Sequence, residues 1–133
     1  MYKTSILKDW LYNNNVDICG LQETGIAQHM FQRFERLSER MRDNRRENIR
    51  MCSANDRHES IEKLQYGGTA VFAYDYVSHL VHSSDADETG LGRWAWVQYR
   101  GKHKIFACVI SAYQPHKSND DRLHPKSVYR QQQ

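Results

Sequence analysis

Two segments of this chain, VDICGLQE (residues 16–23) and KIFACVISA (104–112), are apolar at successive positions rather than alternate ones. A strand turns odd and even residues to opposite faces. Each segment therefore needs cover on both sides and reads as an interior strand of a covered sheet. Both runs stop abruptly, the first in Gln22-Glu23-Thr24 and the second in Tyr113-Gln114-Pro115. Nothing basic stands beside Glu23 in sequence, so a carboxylate closing a buried strand calls for a partner from elsewhere.

The rest of the chain supplies candidates for the cover. Ile6, Leu7, Trp10 and Leu11 form one stripe at helical spacing and predict a helix over 4–14, ended by Asn13-Asn14-Asn15. Met30, Phe34, Leu37 and Met41 predict a second helix over about 27–45. NIRMCSA (48–54), YGGTAVFAY (66–74) and GRWAWVQYR (92–100) read as strands, the last with Trp94 and Trp96 on one face and Val97 and Tyr99 on the other. Gly101-Lys102 suits a tight hairpin into KIFACVISA. DRHESIEKLQ (56–65) and QPHKSNDDRLHPKS (114–127) have loop composition, and SVYRQQQ (127–133) opens what reads as a helix, with Ser127 as its N-cap. Helix, strand, helix, then several strands gives an α/β class: a layered sandwich, with helices packed outside a mixed or antiparallel sheet.

At 133 residues the chain is one domain or part of one. Its 39% apolar content allows only a modest core. The formal charge of +3 does not diagnose a polyanion partner. The basic residues are uneven, with an arginine-rich run from Arg33 to Arg50. Interleaved Glu and Asp make the solvated face of a helix its plainer reading, and phosphate contact through Arg42, Arg45 and Arg46 the alternative. Cys19, Cys52 and Cys108 are widely spaced, with no CxxC and no zinc-like spacing to histidine. This favours a reduced, intracellular setting, nuclear or cytoplasmic. No run is long enough to cross a membrane.

Several tempting motifs fail on spacing. In DADETGLGRW, counted from Asp85, the bidentate glutamate of a calcium loop falls on Trp96, so a loop into a strand is the better account, with Arg93 pairing with a nearby acid. Gly67-Gly68 is not a phosphate-cradling loop, since no GKS/T follows; a bulge or a turn needing positive φ fits it. The seven histidines form no HExxH pattern, and His79 and His82 lie three apart in a strand or loop, on opposite faces. Glu23 and Tyr113 remain. A carboxylate at a strand end suits a magnesium ion, which takes one or two protein carboxylates along with waters and phosphate oxygens. A phenol at a strand end can donate to a phosphate oxygen. If the two strands run the same way, both residues stand at one rim.

Taken together, DICGLQET, YGGTAVF, GLGRWAWV and VISAYQP, in this order and at these separations, resemble the endonuclease/exonuclease/phosphatase superfamily. This family includes apurinic/apyrimidinic endonucleases, DNase I and the endonuclease domains of non-LTR retrotransposons, and YGGTAVF and GRWAW look closest to the retroelement branch. The resemblance implies a DNase I-like fold of two packed sheets flanked by helices and a phosphodiester-hydrolysing activity with Mg²⁺ or Mn²⁺. It implies that Glu23 is the metal-ligating glutamate of the family's QE motif, and that Tyr113 is the tyrosine that contacts the scissile phosphate region.

The resemblance spans nearly the whole chain but only the N-terminal half of the family's domain. The family's asparagine on a strand before the first helix has no counterpart, and no Gly-Asp-x-Asn or Ser-Asp-His occurs. The catalytic base, the transition-state donors and the histidine are therefore missing. The expectation is an incomplete domain over 1–133: a first sheet with flanking helices, the second sheet largely absent, and an exposed sheet face open to self-association. Such a fragment of a DNA endonuclease would bind Mg²⁺ weakly and be nearly silent. A non-catalytic nucleic-acid or protein-binding module, or part of a phosphoinositide or other small-phosphoester hydrolase, are the alternatives.

Overall fold

The computed structural model describes residues 2–25, 37–55 and 67–114. The start of the helix expected over 27–45, the segment DRHESIEKLQ and the expected helix in SVYRQQQ lie outside them.

The first helix, α1 (Tyr2–Asn13), stops where its asparagines stop it. Asn15 sits at φ 53, the left-handed conformation that ends many helices. The Asn15 N–H then donates to Tyr12 O at 3.2 Å and the Val16 N–H to Leu11 O at 2.9 Å, and Val16 packs back onto the Leu11 cluster. Leu7 and Leu11 face that core, but Ile6 and Trp10 are exposed, so the buried stripe is narrower than the sequence spacing suggests.

Two three-stranded antiparallel sheets follow. In the first, β1 (Ile18–Gln22) and β2 (Ile49–Ala54) flank β3 (Thr69–Tyr74). All six residues of β3 are buried, because both its faces are covered. Ala70, Phe72 and Tyr74 meet α1 and the short α2 (Leu37–Met41), while Val71 and Ala73 meet the second sheet. That sheet holds β4 (Val81–Ala86), β5 (Trp94–Arg100) and β6 (Phe106–Ala112), reached through the one-turn α3 (Asp75–Ser78). Val97 and Tyr99 of β5, Val81 and Val109 fill the gap between the sheets with Ile18 and Cys52. The layers therefore run helix, sheet, sheet.

Four features differ from the sequence reading. A second sheet is present, where its near-absence was expected; its first strand, β4, has the polar sequence VHSSDA and carries little apolar signal. The two doubly apolar segments are edge strands, not central ones. YGGTAVFAY takes the centre of the first sheet because it pairs with both neighbours, and GRWAWVQYR does the same in the second. The second helix ends at Met41 instead of running to 45, since the Asp43 carboxylate accepts the Arg45 N–H at 3.1 Å and turns the chain. The hairpin after β5 is wider than a two-residue turn: a 3-10 turn over Lys102–Lys104 closes it, with the Gly101 N–H donating to Ile105 O.

Candidate functional site

β1 and β6 end side by side. The Ser111 hydroxyl donates to Leu21 O at 2.8 Å, and the Gln22 side-chain amide donates to Ala112 O at 2.6 Å. These bonds reach from one sheet to the other beside Gly20, where a Cβ would stand in ordinary contact, 3.5 Å from Ser111 Cβ. Glu23 and Tyr113, the next residue on each strand, therefore stand at one rim.

Glu23 is turned out of the sheet by its backbone. Gln22 lies opposite Thr69, and the Thr24 N–H bonds Gly68 O at 3.2 Å, so Glu23 is an extra residue with no partner on β3. It sits at φ 52, left-handed for a residue with a side chain. Such bulges re-aim side chains and are frequent beside active sites. Opposite it, Gly67 and Gly68 take φ 81 and φ 96, and a Cβ on Gly68 would collide with Thr24 Oγ1. The glycine pair is thus the positive-φ feature its sequence suggested. The Glu23 carboxylate is exposed and makes no ion pair with a described residue. Beside it in sequence Thr24 Oγ1, and opposite Gln22 on β3 Thr69 Oγ1, are buried with no hydrogen-bond partner among the described residues.

Tyr113 is held by a loop that the sequence reading located only in part. The Tyr113 N–H donates to Arg93 O at 3.0 Å, extending the β5–β6 ladder by one step. Arg93 is in turn fixed by Asp87, whose buried carboxylate accepts from the Arg93 N–H at 2.9 Å and from Thr89 N–H and Oγ1. The expected pairing of Arg93 with a nearby acid is this one. Burial opposes ionisation of Asp87, yet the donors from Thr89 and Arg93 outweigh it and hold the carboxyl below its ordinary range. Asp87, Gln22 and Thr69 do not stand out in sequence, because a supporting residue has no motif of its own; an acid three residues before Gly90 is the only signal.

The three arginines lie elsewhere, near Tyr74 at the other end of β3 from Thr69. At a rise of about 3.3 Å per residue that is about 17 Å from the rim. Arg46 is a structural residue: its side chain, 5% exposed, lies 4.5 Å over the Tyr74 ring, donates to Leu11 O and faces Asp17 and Asp75. Arg45 is held by Asp43 and Asp9 and stacks on Tyr12. Arg42, its side chain 67% exposed, pairs among the described residues with Glu39, and it is the most solvent-exposed of the three, since the Arg45 side chain is 38% and the Arg46 side chain 5% exposed.

Among the described residues a divalent ion at the rim would find one carboxylate, that of Glu23. Among the described residues no group of three or more His, Cys, Asp or Glu side chains gathers. One exposed carboxylate, free of described cations, fits an ion that keeps its waters and shares phosphate oxygens, and fits no closed protein cage. No protein-family model matches the chain, and no curated protein matches its sequence.

Proposed function

We propose that the rim carrying Glu23 and Tyr113 is the metal- and phosphate-binding edge of a phosphodiesterase of the endonuclease/exonuclease/phosphatase type, acting on DNA. The observation that carries this reading is the pair of bonds, Ser111 to Leu21 and Gln22 to Ala112, that bring the ends of two strands from different sheets together. The helix, sheet, sheet layering is compatible with the family's DNase I-like sandwich. Glu23, aimed outward by its bulge, offers a ligand to Mg²⁺ or Mn²⁺, and Tyr113 offers a phenol to a phosphate oxygen. The ion, when bound, would neutralise charge on the phosphate. With no Gly-Asp-x-Asn and no Ser-Asp-His in the sequence, these 133 residues bind the ion weakly and hydrolyse little or nothing.

The experiment is a Mn²⁺ titration followed by amide NMR, with and without a short DNA duplex. Broadening is expected first at residues 22–25, extending to Tyr113 when DNA is present, and absent in Glu23→Gln. Broadening that persists in Glu23→Gln, or that centres elsewhere, overturns the assignment. Robust Mg²⁺-dependent plasmid nicking lost in Glu23→Gln would contradict the silent part of the reading.

A further inference from the structure

Among the described residues the outer edge of β6 has no strand partner. Its pairing with β5 starts with the Gly101 N–H on Ile105 O and ends with the Tyr113 N–H on Arg93 O. In an antiparallel ladder the bonded positions alternate, so residues 105, 107, 109, 111 and 113 turn their main-chain groups to β5. Phe106, Cys108, Ile110 and Ala112 turn theirs outward. Among the described residues only Gln22 meets any of these, at Ala112 O. Natural edges are blunted by lysine, proline, bulges or brevity; FACVISA has no charge, no proline and seven residues. The side chains of Phe106, Cys108 and Ile110 are exposed on the outer face of the same strand, Ile110 at 64%.

The charge near this edge is divided between its ends. Arg100, Lys102 and Lys104 cluster at the hairpin before β6, whereas Glu23 stands beyond its far end, next to the Gln22 that binds Ala112. An antiparallel copy of the same edge sets the cations of each molecule against the carboxylate of the other. Parallel pairing would set like against like.

We propose that β6 pairs antiparallel with β6 of a second copy, about a twofold axis at Cys108, to make one continuous six-stranded sheet. Gln22 already occupies Ala112, so the open stretch is Phe106–Ile110, and a twofold at its centre pairs every open group. Phe106 of each copy then faces Ile110 of the other, Cys108 faces Cys108, and Lys104 comes opposite Ala112, beside the Glu23 rim. This pairing uses Glu23 only as a charge and does not rest on metal binding there.

Sedimentation of the full chain over a concentration series tests the pairing, together with diamide oxidation. Directly bonded antiparallel residues have Cα atoms about 5.5 Å apart, within the reach of a disulfide. Oxidation, which converts two thiols to a disulfide while diamide takes up the two hydrogens, is expected to trap a dimer through Cys108 and to fail in Cys108→Ser. Ile110→Lys is expected to weaken the dimer at least tenfold with an unchanged circular dichroism spectrum. Lys102→Glu with Lys104→Glu, on an exposed turn, is expected to weaken it several-fold and to reduce its salt dependence. A wild-type chain that stays monomeric throughout, an Ile110→Lys variant that dimerises as wild type does, or trapping through Cys19 or Cys52 overturns the proposal. So does dimerisation that appears only after residues 115–133 are removed, since the chain's own segment would then hold the edge.

Discussion

The Ser111 hydroxyl lies 2.8 Å from the carbonyl oxygen of Leu21 and donates to it across the gap between the two sheets. Because Ser111 is buried, removing the hydroxyl leaves a polar group of Leu21 short of one donor in a place water reaches poorly. Ser111→Ala should therefore cost about 1 kcal/mol in urea unfolding. Local opening of the rim should rise more than global unfolding does, so the Tyr113 amide is expected to exchange faster with solvent while the β3 amides keep their protection. Equal acceleration at both would mean that the bond serves overall stability and does not hold the two strand ends together.

Asp87 supplies a pH dependence of known sign. Its carboxyl is held below the ordinary range by Thr89 and Arg93, and Asp43 is held low chiefly by the Arg45 side chain. A group whose folded pKa is depressed adds stability above its unfolded value, near 3.9 for aspartate, and loses it as the pH falls toward the folded value. Asp87→Asn turns an amide N–H₂ toward donors and is expected to cost about 2 kcal/mol at neutral pH. The difference between wild type and variant should stay flat from about pH 7 to pH 5 and shrink below about pH 4. Denaturant midpoints measured across that range check it; a constant difference down to pH 3 would remove the ionised carboxylate from the account.

Arg42 and Arg46 are four residues apart and should behave oppositely. Arg46→Met removes a buried guanidinium from Asp17, Asp75, Leu11 O and the Tyr74 ring. Part of its packing is kept by the methionine stem, and the expected cost is about 1–3 kcal/mol. Arg42→Ala, at an exposed i,i+3 pair with Glu39, should stay within about 0.5 kcal/mol of wild type. If the chain binds DNA through this end, Arg42→Ala should weaken that binding and lessen its salt dependence without touching stability. An Arg46 variant that unfolds at the wild-type denaturant midpoint would show that the buried guanidinium contributes nothing net.

What could be read from sequence follows from what a sequence pattern reports. Apolar periodicity reports which faces are covered, so α1, β1, β2, β3, β5 and β6 are legible in sequence, with Trp94 and Trp96 set opposite Val97 and Tyr99, as they are. It does not report which strand lies beside which. FACVISA looks central because both its faces are apolar, yet it ends its sheet; among the described residues His82 lies against the Phe106 ring, and Ile110 stays 64% exposed. VHSSDA reads only as strand or loop for the converse reason: it is an edge strand whose residues are mostly polar and only partly covered. At the rim, Glu23 and Tyr113 were legible because each breaks an apolar run. Asp87 was not, since a buried acid that satisfies a loop looks in sequence like any other acid in a turn.

Glu23 offers the sharpest separation of local strain from function. It holds φ 52 with a full side chain, a conformation that costs a non-glycine residue about 1 kcal/mol. Glycine would relieve that strain, but it also makes the unfolded chain more flexible by a similar amount, about 0.4–1 kcal/mol. Glu23→Gly should therefore unfold within about 0.5 kcal/mol of wild type, although the same change in a regular strand is clearly destabilising. Glu23→Val places a β-branched residue in the left-handed region and should lose about 1–2 kcal/mol. Both variants should lose the Mn²⁺ response, because each lacks the carboxylate. Stability and metal response would then divide the three proteins differently: wild type and Glu23→Gly alike in denaturant, wild type alone with manganese. A glycine variant that falls as far as the valine variant would mean the bulge is not held left-handed at this position, and the outward aim of Glu23 would lose its basis.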